Sequence, residues 1–151
     1  MPQSLSKIYI HLVFHVKYNS VTILENDLPQ LFAYIDGIIL NNKGCVIQIG
    51  GIPNHIHILC TLPRTISMAS FVEEIKKGSS KWIKTINPYY SAFAWQGGYG
   101  VFSVSQSNVE KVRKYILNQK HHHQNQTFED EYISFLDSYQ IEYNKDYIFK
   151  D

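Results

Sequence analysis

Apolar and polar residues alternate along KIYIHLVFHVKY, residues 7–18. Ile8, Ile10, Leu12, Phe14 and Val16 therefore share one face of a predicted strand, and His11 and His15 share the other. The period lengthens over 25–44, where Leu28, Leu31, Phe32, Ile35 and Ile39 form a helical stripe. Asp27 is the expected N-cap there, and Gly44 the expected left-handed residue after the C-terminus. CVIQIG and HIHILCTL read as two strands joined by the turn GGIPN. A turn centred symmetrically on that segment would pair Ile49 with Ile56, Ile47 with Ile58 and Cys45 with Cys60 on a buried side. His57 would then lie opposite Gln48. A second amphipathic helix covers 67–86, weakened at Gly78, and a strand covers 98–105. A third helix over 107–124 opens on a Ser107–Glu110 capping box, and a fourth over 127–139 opens on Thr127 and Asp130 at the same spacing.

This β-α-β-β-α-β-α-α order predicts an α+β fold, a ferredoxin-like βαββαβ core with a mostly antiparallel sheet and appended C-terminal helices. Helices would cover one face of the sheet and leave the other for ligands or a partner subunit. The chain reads as a single domain over 1–151, with the core over about 7–105 and an acidic tail from about 127.

Composition adds exclusions. With 44% hydrophobic and 18% charged residues the chain has the makings of an ordinary core. No apolar run approaches a bilayer span, and MPQSLSK has no signal-peptide pattern. Cys45 and Cys60 make neither a disulfide framework nor a Cys-based zinc site, so a reducing, cytoplasmic setting is expected. The formal charge of +1 conceals an asymmetry. Residues 1–126 carry twelve Lys and Arg against six Asp and Glu, whereas 127–151 carry two against seven. A basic body suits a polyanionic partner; equally, the tail can pack against the body.

The chemistry concentrates in two places. His55 and His57 alternate with Ile56, so both imidazoles leave the strand on one face. Such a pair is either a half-exposed polar face or two ligands of a metal. Tyr115 and Gln119 are four residues apart and share a helix face. Basic residues follow the same helices. Lys76, Lys77, Lys81 and Lys84 flank Ser79 and Ser80 as possible phosphate contacts, and Lys111, Arg113, Lys114 and Lys120 surround Tyr115. Each of these lysines can equally be a solvated helix face. Aromatics of FAWQGGYGVF suit stacking on unpaired bases, although Trp82 and Trp95 read as core. His11 and His15 read as satisfied sheet histidines, and HHHQ at 121–124 as a phosphate-contacting or solvated helix end.

YIHLVFHVKY, PNHIHIL, a helix containing KKGSS, WQGGYGVFSVSQS and VRKYILNQ follow one another in that order. In this the chain resembles single-tyrosine transposases of the HUH superfamily, found in small bacterial insertion sequences and in relatives associated with repetitive extragenic palindromes (REPs). The resemblance runs from about Ile8 to Gln124 and implies His55, His57 and Gln119 as metal ligands and Tyr115 as nucleophile. It further implies an Mg²⁺ or Mn²⁺ cofactor, single-stranded DNA with hairpins at element ends as substrate, and a homodimer. The expected reaction is nicking and rejoining through a 5′-phosphotyrosine. Asn54 stands where the family commonly has Asp. Three other functions remain open on the sequence: a domesticated nickase acting on chromosomal palindromes, a non-catalytic nucleic-acid-binding module, and a phosphohydrolase in which water replaces Tyr115.

Overall fold

The computed structural model describes residues 2–149; the last two residues of the acidic tail, and the side chain of His122, lie outside the described set. Four strands form one antiparallel sheet: β1 (Tyr9–His15), β2 (Val46–Ile52), β3 (His55–Thr61) and β4 (Gly100–Val104), ordered β2-β3-β1-β4. Helices α1 (Leu28–Asn41) and α2 (Met68–Ile86) complete the ferredoxin-like core. Three more helices follow, α3 (Val109–Leu117), α4 (Gln119–His122) and α5 (Phe128–Ser138).

Strand alternation divides the interior. Ile10, Leu12, Phe14, Ile56, Ile58 and Cys60 enter the main core with Leu31, Ile35 and Ile39 of α1 and Phe71, Ile75 and Ile83 of α2. Gly78 lets these helices approach, since a Cβ there would meet Ile38 Cδ1 at 2.8 Å. The opposite face is not open. Phe102, Val13 and α5 form one cluster on it, and Leu59, Val104 and Ile116 form another.

Several local expectations give way to packing. Ile8 precedes β1 and is exposed. Lys43, with φ 70°, takes the left-handed position after α1, while Gly44 is required because a Cβ would press on Ile39 and the Thr61 carbonyl. Asp27 stands at the N-cap of α1 without capping it and accepts a hydrogen bond from the Tyr90 hydroxyl instead (2.6 Å). The Ser107–Glu110 box does not form, because a 3₁₀ turn over Gln106–Asn108 precedes α3, and Glu110 pairs with Arg113. Ser67 and Thr127 do cap their helices.

The β2–β3 hairpin turns on Pro53 and Asn54 alone. Ile49 therefore pairs with Ile58, and His57 faces Gly50, not Gln48. A register irregularity between Val46 and Gln48 leaves Cys45 exposed, outside the core that holds Cys60.

Candidate metal and tyrosine site

His11 and His15 of β1 and His55 and His57 of β3 emerge on the face away from α1 and α2, with His15 paired to His55 and Val13 to His57. All four are buried. Gly50 explains how a helix reaches them. A Cβ on Gly50 would lie 2.4 Å from the Ile116 carbonyl oxygen, so the backbone of α3 rests directly on the strand beside His57. Tyr115, the preceding residue, is thereby brought over the histidines, its ring 6.0 Å from that of His57. The helix breaks at Asn118 and resumes as α4, which carries Gln119 inward. Residues 115, 119 and 123 recur every four positions, and His123 follows Gln119 toward the strand; its ring is 4.4 Å from that of His55.

Helix α5 closes the site. Phe128, Tyr132 and Leu136 bury its apolar stripe, Phe128 packing on His55 and His15 and Phe135 on His11. Glu131 lies within that stripe at 2% exposure. Its Oε1 is 2.9 Å from His57 Nε2, 3.2 Å from His123 Nε2 and 3.5 Å from His55 Nε2. Its Oε2 accepts a hydrogen bond from the Tyr115 hydroxyl. Gln119 Oε1 lies 3.3 Å from His55 Nε2 and 3.1 Å from His123 Nε2.

The outer nitrogens fix the tautomers. His55 Nδ1 donates to Asn54 Oδ1 (2.7 Å) and His123 Nδ1 to the Gln126 carbonyl (2.8 Å), since neither oxygen can donate. In the neutral rings both Nε2 atoms then present lone pairs inward, where they meet the lone pairs of Gln119 Oε1 and Glu131 Oε1. Acceptors converging without a proton between them call for a cation. The spacing agrees: ligands about 2.1 Å from a tetrahedral ion stand ~3.4 Å from one another. His57 Nδ1 is tied to His11 Nε2 (2.8 Å), so each inner imidazole has an outer partner that orients it, as metal-bound histidines do. His55, His57, His123 and Glu131 can thus hold a metal ion, with the Gln119 oxygen beside them.

The electrostatics point the same way. Burial pushes His55 down to about 4, and burial followed by the neighbouring His57 lowers His11 well below the usual histidine value, so both rings are neutral near pH 7. Burial alone would raise Glu131, but the facing imidazoles of His55 and His57 when protonated, together with the Tyr115 hydroxyl, outweigh it and hold the carboxyl below its ordinary range. Tyr115 moves the other way, raised by burial and by its bond to the Glu131 carboxylate.

The sequence was compared with known families on this footing. The model of IS200-like transposases matches residues 4–119. The chain belongs to that family. Similar to this IS200-like transposase is the ISDra2 transposase TnpA of Deinococcus radiodurans, 25% identical over 114 residues, 72% of this chain and 81% of the relative. A crystal structure of a transposase from D. radiodurans R1 superposes with a TM-score of 0.60 at 20% identity, covering 79% of this chain and 98% of the other. The structure of a REP-associated tyrosine transposase bound to a REP hairpin gives 0.59 at 17%, covering 82% and 73%. Both share the antiparallel α+β fold. The family match ends at Gln119, so His123 and Glu131 lie beyond it.

Of the residues expected at the site, Tyr115, His55, His57 and Gln119 come together within one chain. Lys111 lines the cleft that Tyr115 opens onto. Arg113 and Lys120 form exposed ion pairs with Glu110 and Glu25 (2.6 and 3.0 Å), and Lys114 is exposed on α3. The α2 set lies across the sheet. Lys76 Nζ donates to the Gln96 and Gly98 carbonyls, pinning the loop before β4. Ser79 is fully buried, its hydroxyl bonded to the Ile75 carbonyl and to Trp95 Nε1, so it offers nothing to a phosphate. Ser80, Lys77 and Lys81 remain at the surface of that layer. The sequence reading missed Glu131 and the inward turn of His123. Their signals were an acid set among Phe128, Tyr132 and Phe135, and a histidine one turn past Gln119.

Proposed function

We propose that this protein is a metal-dependent single-stranded DNA transposase that nicks and rejoins DNA through a 5′-phosphotyrosine on Tyr115. One observation carries this reading: the Tyr115 hydroxyl and the Nε2 atoms of His55, His57 and His123 meet on the two oxygens of a single carboxylate, Glu131. A divalent ion held by His55, His57, Glu131 and His123, with Gln119 adjoining, would polarise the scissile phosphate and offset charge on its oxygens, a contribution of several kcal/mol. A set this rich in imidazole suits Mn²⁺ better than Mg²⁺.

Tyr115 is protonated at neutral pH, so attack requires its proton to leave. Glu131 Oε2 already accepts that hydrogen bond and is the nearest base. As the phenol oxygen bonds to phosphorus, the P–O3′ bond breaks and the 3′ oxygen takes up a proton to become a free hydroxyl. Reversal of the same step by another 3′-hydroxyl rejoins DNA. The REP hairpin held by one structural neighbour supports folded single strands as the substrate class. With the nucleophile and the histidines on one chain, a homodimer is not needed to complete the site.

Covalent trapping tests this reading. Incubation with Mn²⁺ and labelled single strands carrying the element's ends gives a protein–DNA adduct on a denaturing gel, abolished by chelation and by Tyr115→Phe. Cleavage without an adduct would mean a hydrolase using water; binding without cleavage would mean a DNA-binding module.

A further inference from the structure

Tyr115 and Glu131 form part of the floor of a cleft of about 410 Å³ between the β4–α3 connection and α5, within the range of small-molecule sites (about 300–1,000 Å³). Nothing in the proposed chemistry accounts for its walls. Ser105 rises on one side, and Ser134 and Ser138, one turn apart on α5, on the other; Lys111 stands one turn before Tyr115. Phe135 contributes a half-buried ring, held from behind by Phe102 at 5.3 Å. Every serine named is exposed, and so is Lys111. A cation, an aromatic face and a ring of hydroxyls around the nucleophile are what a nucleotide requires: charge for its phosphate, a surface for its base, and donors and acceptors for the base edge.

We infer that this cleft binds the base of one nucleotide flanking the scissile phosphate. The base lies against Phe135, Ser105, Ser134 and Ser138 meet its edge, and Lys111 meets the backbone phosphate. The inference rests on the proposed single-strand chemistry, because a phosphate in contact with Tyr115 must send one neighbouring nucleotide into this space. Protein side chains would then select a base at the cut, through hydroxyls that hydrogen-bond one edge pattern better than another.

The test uses the full chain carrying Tyr115→Phe, which holds substrate without joining it, and short random single strands each bearing one photoactivatable iodouracil. Crosslinks are expected on the peptide containing Phe135. Ser134→Trp, at an exposed α5 position, fills the cleft without touching the core. It should weaken binding, read by fluorescence anisotropy, by about 5- to 150-fold, the contribution of one stacked base, with Mn²⁺ affinity unchanged. Crosslinks confined to other segments, or unaltered binding by Ser134→Trp, would overturn the cleft assignment even where the wild-type chain forms adducts. Adduct failure on strands that crosslink at Phe135 would instead overturn the tyrosine chemistry and leave the cleft standing. A chain that holds no single strand at all would overturn both.

Discussion

The two faces of one sheet do different work with the same strands. Toward α1 and α2, β1 and β3 present Ile10, Leu12, Phe14, Ile56 and Ile58, a continuous apolar layer. Toward α3 and α5 the same strands present four buried histidines. The first face is stabilised by burial, which is nondirectional and tolerant of exchange between apolar residues. The second holds polar groups that are stable only while each has a partner: Asn54 for His55, Glu131 for His57, His57 for His11 and the Val16 carbonyl for His15. Stability and chemistry are thus set back to back across one layer of backbone.

Four perturbations separate the faces. Leu12→Ala should have the largest effect on stability, about 2–5 kcal/mol for a fully buried leucine, seen as a lower urea midpoint with Mn²⁺ affinity retained. Acid should act on the histidine face, leaving the apolar layer of the main core without a group to titrate in that range. His55 is held near 4 in the fold against about 6.5 unfolded, so its contribution is complete above pH 6.5 and is lost as pH falls toward 4. That loss is on the order of 3 kcal/mol, and the depressed Glu131 adds to it in the same direction. Urea midpoints of the metal-free protein at pH 7 and pH 4.5 measure it. Gly50→Val should rank next, at about 1–3 kcal/mol of overpacking, because its side chain must displace the Ile116 carbonyl. Adduct yield should fall further than stability does, since Tyr115 moves with that turn. Arg113→Ala, which removes an exposed i,i+3 pair, should leave the urea midpoint essentially unchanged.

The core face was legible in the sequence because its signal is periodicity, which belongs to each strand and helix separately. Tyr115, His55, His57 and Gln119 could be named as candidates because their short motifs, each ambiguous alone, together resemble those of one family. The hairpin register was not: its turn uses Pro53 and Asn54 only, and Gly50 is fixed by a helix more than 60 residues away. Nor was the covering of the second face. Segment charge suggests only that the tail can pack on the basic body; α5 instead buries Phe128, Tyr132 and Leu136 and carries Glu131 in among them. Charge counted over a segment hides one carboxylate in an apolar stripe, and helical spacing would have found it.

The central claim is that one chain completes the site, with Tyr115 and the histidines contributed in cis. Mixing Tyr115→Phe with His57→Ala tests it directly, because each variant keeps what the other lacks. The account predicts a Mn²⁺-dependent covalent adduct from wild type and none from either variant or from their mixture. An adduct regained on mixing would show the tyrosine helix crossing to a partner's histidines, and would contradict it.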